Sequence, residues 1–317
     1  MTLVPRVLPL LVLLGLLVFG SAQADRRPEG PGWYSTRIGR FTVTALYDGT
    51  IEMPVDKEFS APAPARLKEL LARDHLGLAV PMPVNAFVID TGQRVVMVDA
   101  GTGTSRMFGD GLGQVQANLR AAGYAPERID EIYLTHMHTD HVGGLTTDGH
   151  AVFPNAVVRA DRREAAHYLS REKLAAAGAE KPDLENAIAM LDPYVQSGRF
   201  RLFDGAVELV PGVKALPARG HTPGHTVYVV ESEGVRLVLW GDLVHIAAVE
   251  LPLPTATMAF EADSSQARAS RLRALRDAAR DGSWVASAHI GFPGIGKVRA
   301  ERRGGYRWVP IALGRGR

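Results

Sequence analysis

The sequence predicts an α/β fold in which two β-sheets pack face to face with helices outside. Three observations predict it. Apolar runs of strand length alternate with segments of helical spacing, and the second half of the chain repeats the order of the first. The residues are 46% apolar against 22% charged, enough for a sizeable core in a chain of 317. No short fixed repeat or low-complexity segment interrupts the alternation.

Residues 1–24 read as an export signal. Arg6 supplies the positive start, Leu8 to Gly20 an apolar run, and Ala22-Gln23-Ala24 a small-x-small cleavage site. Pro9 and Gly15 break the run, which falls short of the ~20 residues of a membrane span. A periplasmic or secreted location is expected, with no membrane contact after cleavage. Residues 25–39 are assigned to a linker or N-terminal arm, because Asp25 to Ser35 is polar and rich in Pro and Gly. Residues 40–317 are assigned to a single domain.

Within that domain Phe41 to Leu46 reads as a strand and Asp48-Gly49 as a hairpin turn. A short helix is expected near Leu67 to Leu71. Strands at Asn85 to Asp90 and Arg94 to Asp99 are joined by Thr91-Gly92-Gln93. A helix over Leu112 to Ala122 ends at Gly123, and a strand follows at Ile132 to Leu134. The second round has a strand at Val157 to Arg159, helices at 161–170 and 184–197, and strands at 200–203, 213–216, 226–231 and 235–240. Ser264 or Ser265 is expected to cap a helix reaching Asp281, which Gly282 closes. Its Arg268, Arg271, Arg276 and Arg280 read as a solvated face opposite Leu272 and Leu275. Trp284 to Ala288 is the last strand before His289.

The formal net charge is +2, one unit of it from Arg6, so nothing favours a nucleic-acid partner. There is no cysteine. Thiolate ligands, disulfides and thiol nucleophiles are therefore excluded.

Ten histidines are present, and three fall in the stretch His136-Met137-His138-Thr139-Asp140-His141. Imidazole nitrogen and carboxylate oxygen are the donors that borderline divalent metals take. The His-x-His-x-Asp-His order can supply two ions, the first two histidines one and the Asp-His pair the other. Six residues cannot close two coordination shells. His221, Asp242 and His289 are the downstream candidates, each at a strand–loop junction where site residues are rigidly carried.

His136-x-His138-x-Asp140-His141 followed by His221, Asp242 and His289 resembles the ligand set of the metallo-β-lactamase superfamily. The resemblance runs from about residue 40 to the end of the chain. It implies an αββα sandwich with mixed sheets. It also implies that His136, His138 and His221 hold one ion, that Asp140, His141 and His289 hold the other, and that Asp242 bridges both. Asp99, in Val98-Asp99-Ala100-Gly101, resembles that superfamily's aspartate behind the ligands, and Thr222 and His225 are further candidates for orienting them. Two divalent ions are expected, zinc first, with manganese, cobalt or iron suited to the same donors.

Several phrases are similar to the exported methyl parathion hydrolase group of that superfamily. Among them are Leu46-x-Asp48-Gly49-Thr50, Phe153-Pro154-Asn155-Ala156-Val157-Val158-Arg159-Ala160-Asp161, Gly220-His221-Thr222-Pro223-Gly224-His225-Thr226 and Phe292-Pro293-Gly294-Ile295-Gly296. The resemblance implies a metal-bridging hydroxide as nucleophile, with Asp140 and Asp242 as catalytic carboxylates. It also implies a pocket containing Phe108, Tyr168, His245 and Phe260. His245 and Phe260 stand where the organophosphate-specialised form is expected to carry leucine, which favours a lactone or aryl ester over a phosphotriester. The alternatives are an organophosphate hydrolase proper and a non-catalytic metal-binding protein. A small-molecule substrate is expected, and a homodimer is compatible with the sequence.

Overall fold

The computed structural model describes residues 32–312. The expected signal over residues 1–24 lies outside them. Fourteen strands make two sheets of seven, each running in chain order. The first sheet is β1 (Trp33–Ile38), β2 (Phe41–Pro54), β3 (Ala79–Asp90), β4 (Val95–Val98), β5 (Glu131–Tyr133), β6 (Val157–Asp161) and β7 (Phe200–Phe203). The second is β8 (Val207–Val210), β9 (Val213–Pro217), β10 (Thr226–Ser232), β11 (Val235–Leu239), β12 (Trp284–Ala286), β13 (Ile295–Ala300) and β14 (Tyr306–Pro310). Both sheets are mixed. β4 to β7 pair in parallel, as do β11 and β12, and the other neighbours are antiparallel.

Parallel neighbours need crossovers, and the helices supply them. Helix α1 (Pro64–Arg73) lies between β2 and β3, and α2 (Val115–Ala121) links β4 to β5. The short α3 (Thr139–Val142) follows β5. α4 (Arg162–Tyr168) and α5 (Lys181–Gln196) link β6 to β7, while α6 (Ala247–Glu250) and α7 (Ser264–Asp281) link β11 to β12.

Alternation along the strands divides the core into layers. Val43 and Ala45, Phe87 and Ile89, and Val96 and Val98 face inward from the first sheet. They meet Val213 and Ala215, Tyr228 and Val230, and Leu237 and Leu239 from the second. The intervening Leu46, Val88, Met97, Ile132 and Val158 face outward onto Leu119, Leu184, Leu191 and Tyr194 of the helices. Leu275 and Ala278 of α7 cover the outer side of the second sheet on Val285 and Val298. The result is the expected four-layer sandwich of helices, two mixed sheets and helices.

Local expectations failed where distant partners won. Trp33–Ile38, placed in the arm, is the edge strand β1, with Trp33 opposite Leu46. Asp48-Gly49 is a bulge inside β2, where the register slips between Tyr47 and Gly49. The buried Asp48 carboxylate accepts the amides of Thr102 and Val115 and the Thr102 hydroxyl, so its hydrogen bonds lie outside any hairpin. Pro81 and Pro83 lie within β3, where β4 no longer pairs and no ladder is broken on that side. Asp263 caps α7 instead of a serine, accepting from the amides of Ser265 and Gln266. Gly282 ends that helix in the left-handed conformation, as expected. Arg268, Arg276 and Arg280 are exposed, but Arg271 is buried, because the segment from Leu243 to Glu261 covers it. Strands β8, β13 and β14 have no counterpart among the strands expected from the sequence.

Candidate metal centre

The site forms at one end of the sandwich, where strand ends from both sheets converge. β5 delivers His136 and His138, and one turn of α3 places Asp140 beside His141. His221 lies in the turn between β9 and β10. Asp242 follows β11 in a tight turn after Gly241, where a Cβ would stand 2.7 Å from His225 Nε2. His289 follows β12.

His136 Nε2, His138 Nδ1 and His221 Nε2 lie 3.0, 3.2 and 3.0 Å apart. That is close to the edge of a tetrahedron, about 3.3 Å for donors about 2.0 Å from one ion. Asp242 Oδ2 adds a fourth corner, 3.4 Å from His221 Nε2 and 3.6 Å from His136 Nε2. A second group forms beside it. Asp140 Oδ2 is 3.3 Å from His141 Nε2 and 3.5 Å from His289 Nε2, while Asp242 reaches those two rings at 3.2 and 3.1 Å. All seven expected ligands therefore fall into two donor groups, with Asp242 in the first and within 3.2 Å of two rings of the second; Asp242 and His289 also form a third group with His245.

The residues fit a pair of ions on their own chemistry. His136 and His221 are buried, and burial holds their pKa well below the ordinary value, in the neutral form that ligates. Burial likewise lowers His138. Burial alone would raise Asp242, but the surrounding imidazoles, His141 first, hold it well below a usual carboxylate. Burial works against charge on His141 too, yet Asp242, Asp140 and Asp99 together raise it well above the ordinary value. His141 Nε2 faces Asp242 Oδ1 at 3.2 Å and Asp140 Oδ2 at 3.3 Å, and neither His141 Nε2 nor Asp242 Oδ1 makes a well-aligned hydrogen bond. A cation between the groups would satisfy both atoms.

The groups behind the ligands fix ring orientation. Asp99 Oδ2 lies 2.9 Å from His141 Nδ1, and Asp99 also accepts the Thr135 amide and hydroxyl at 2.8 Å each. His289 Nδ1 lies 2.9 Å from the Pro83 carbonyl, which turns Nε2 toward Asp242 Oδ2 at 3.1 Å. His225 donates from Nδ1 to Ala218 and accepts the Asp242 amide at Nε2, so it holds that residue's main chain. Thr222 donates to Glu164 at 2.7 Å.

Glu164 was missed from the sequence. It is buried in the first turn of α4 and also accepts the amides of Met137 and Gly224. One carboxylate thereby ties the His136–His138 loop to the His221 loop. Burial pushes its pKa up to about 7 despite these bonds. The only sequence signal was an acid at an inward position of a helix.

Above the donors lies a cavity of about 440 Å³. Phe108, His245 and Phe260 line it as expected, and Ile51, Met53, Met82 and Met107 add unforeseen apolar wall. Tyr168 does not line it. It is buried beneath the site with its ring against His138 at 5.7 Å, because α4 turns that face toward the core. His245 Nε2 lies 3.2 Å from Asp242 Oδ2. Burial disfavours charge on this ring, but Asp242 and Glu250 more than offset it and push its pKa up to about 10.

With the geometry established, comparison with known proteins places the chain. Residues 79–289 match the metallo-beta-lactamase superfamily. The chain belongs to that superfamily. It is 26% identical over 174 residues to the N-acyl homoserine lactonase of Bacillus thuringiensis, and 28% over 182 residues to that of Bacillus cereus. These matches cover 50% and 51% of this chain, and 62% and 64% of those lactonases. Among solved structures it is similar to AbOPH, a hydrolase of the beta-lactamase superfamily, with a TM-score of 0.84 and 32% identity over 90% of this chain and 99% of that one. It is also similar to AidC, a dizinc quorum-quenching lactonase in complex with a product, with a TM-score of 0.78 and 25% identity over 89% and 98%.

Proposed function

We propose that the protein is a metal-dependent hydrolase that opens lactones or aryl esters, with phosphotriester hydrolysis as a weaker side activity. The observation that carries this reading is the pair of adjacent donor groups at the floor of the cavity, with Asp242 in the first and facing His141 and His289 of the second. Two divalent ions there would lower the pKa of a shared water and polarise a carbonyl or phosphoryl oxygen. His136, His138 and His221 would hold one and Asp140, His141 and His289 the other, with Asp242 between them. Zinc is the first choice, on the all-nitrogen and oxygen donor set and the likeness to a dizinc lactonase.

The chain's own groups supply the rest. Asp140 lines the cavity at the second donor group, placed to take the proton released as water attacks. His245, beside Asp242, is positioned to donate a hydrogen bond to the ester or lactone oxygen. Phe108, Phe260, Ile51 and Met82 form an apolar wall for the rest of a small substrate. The likeness to N-acyl homoserine lactonases supports a lactone.

A second reading, an organophosphate hydrolase of the methyl parathion type, rests on the phrases similar to that group, among them Phe153 to Asp161 and Gly220 to Thr226. We also propose export to the periplasm or beyond, on the sequence of residues 1–24. The metal-loaded protein should be assayed on dihydrocoumarin, an acyl-homoserine lactone and methyl paraoxon. Turnover of either lactone above that of paraoxon supports the lactonase reading, and the reverse order establishes the second. Asp140→Ala should lower kcat by more than about a hundredfold, and unchanged turnover would remove Asp140 from the chemistry.

A further inference from the structure

The helical pattern puts Arg271 on a charged face of α7, yet its side chain is enclosed, with four hydrogen bonds and an ion pair to Glu250. Nε donates to the Leu243 carbonyl at 2.7 Å. Nη1 donates to the carbonyls of Ala256 and Pro254. Nη2 meets Glu250 Oε1 at 3.0 Å and Glu261 Oε1 at 2.7 Å. The two carboxylates carry the linkage onward. Glu250 Oε2 accepts the amides of His245 at 2.6 Å and Ile246 at 2.8 Å, and Glu261 Oε2 accepts the amide of Met258.

The endpoints of this network are the neighbours of the site. Leu243 follows Asp242, Glu250 grips the main chain of His245, and Glu261 follows Phe260. Phe260 in turn packs edge-on against His245 at 5.2 Å and His221 at 5.8 Å. One guanidinium thus sets the spacing between the segment carrying Asp242 and His245 and the segment carrying Phe260. Burying two acids and a base is an expensive way to hold a fold together, since apolar side chains of the same volume often do it as well. What the planar fork provides is geometry: five donors in fixed directions, which no other side chain offers.

We propose that Arg271 is a positioning residue for the pocket, fixing His245 and Phe260 relative to Asp242 through Glu250 and Glu261. The substrate half of this proposal rests on the cavity being the substrate pocket, and the Asp242 half does not. Arg271 touches no reacting atom. It acts through the main chain of the elements it spans.

The test compares wild type, Arg271→Lys and Glu261→Gln, each loaded with zinc for kinetics and with cobalt for spectroscopy, well below the lowest Tm. Lysine keeps the charge but loses the fork. Arg271→Lys should lower kcat/KM on dihydrocoumarin by about 10- to 100-fold, as loss of a group behind the ligands does. It should also shift the visible cobalt bands of the substrate-free protein, because the turn carrying Asp242 loses its Leu243 anchor. Glu261→Gln keeps the volume and the Met258 bond but weakens the tie to the Phe260 segment. It should raise KM severalfold with kcat and the cobalt bands unchanged.

Wild-type kcat, KM and cobalt bands in both variants, with only Tm lowered, would overturn the proposal and leave Arg271 a stabilising residue. If Arg271→Lys does not fold, the KM-against-kcat split in Glu261→Gln decides. A wild-type protein that opens no lactone defeats the substrate reading alone, and the cobalt bands of Arg271→Lys still decide the positioning role.

Discussion

Glu164→Gln should change in sign with pH, and the structure gives the size of the change. The Glu164 carboxyl is buried, and burial pushes its pKa from 4.5 to about 7 although three donors point at it. A shift of that size is worth about 3 kcal/mol. The folded-state pKa is raised, so the stability this group contributes is complete below about pH 4.5 and is lost as pH rises through about 7. Glutamine does not titrate and suffers no such loss. It carries its own cost at every pH, because its NH2 group must face one of the donors that the carboxylate accepts, the amide of Met137 or that of Gly224. That cost is about 1–3 kcal/mol.

Glutamine is therefore destabilising near pH 5 and neutral to stabilising near pH 8.5. The swing of about 3 kcal/mol corresponds to about 6–12 °C in the difference between the two Tm values. Thermal unfolding of both proteins, metal-free in excess chelator and followed by circular dichroism from pH 5 to 8.5, measures it. Titrations shared by the two proteins cancel in the difference. A Tm difference constant to about 2 °C over that range would refute the reasoning, because it would mean that Glu164 carries no burial-raised proton.

Two further perturbations address the ligands and the fold around them. Asp99→Asn replaces the acceptor for His141 Nδ1 and for two Thr135 donors. Zinc affinity should drop about 10- to 100-fold in competition with a chromogenic chelator, and wild-type affinity would show that Asp99 does not orient the ring. Gly220→Ala places a Cβ 1.9 Å from the Ala267 amide nitrogen at a residue with φ of +128°. The start of α7 and the His221 turn cannot both stay in place, so stability should fall by more than about 3 kcal/mol in urea unfolding, and a loss below 1 kcal/mol would contradict the close approach.

The features legible in the sequence were those whose chemistry restricts residue type. Metal donors can only be a few side chains, so His136 to His141 stood out alone and His221, Asp242 and His289 could be found at strand ends. Strand alternation was legible for a similar reason, since Val43 and Ala45 or Leu237 and Leu239 must face a partner sheet. The features that were missed depend on partners distant in the chain. The Asp-Gly pair at 48–49 has the local signature of a turn, but amides at 102 and 115 and the long pairing with β3 override it. Arg271 reads as solvent-facing because no rule of helical spacing shows that Leu243 to Glu261 will fold over it. Glu164 and Tyr168 face inward from α4 for the same kind of reason. Which side of a helix is covered is decided by the loops that cross it.

Donors and cavity wall draw on overlapping parts of the fold. The seven donors are anchored at strand ends and held from behind by Asp99, His225, Glu164 and the Pro83 carbonyl, all within or beside the two sheets. The cavity wall is carried partly by the first sheet, in Ile51 and Met53 of β2 and Met82 of β3, and partly by loops. Met107 and Phe108 lie on the loop between β4 and α2, and His245 and Phe260 on the segments that Arg271 spans. A substitution at Phe108 alters the cavity from a loop, whereas one at Met82 lies beside Pro83, whose carbonyl is 2.9 Å from His289 Nδ1. Donors and wall meet again at the turn from Asp242 to His245, where a donor carboxylate and a cavity residue share four residues of chain and a single buried guanidinium bonds the Leu243 carbonyl between them.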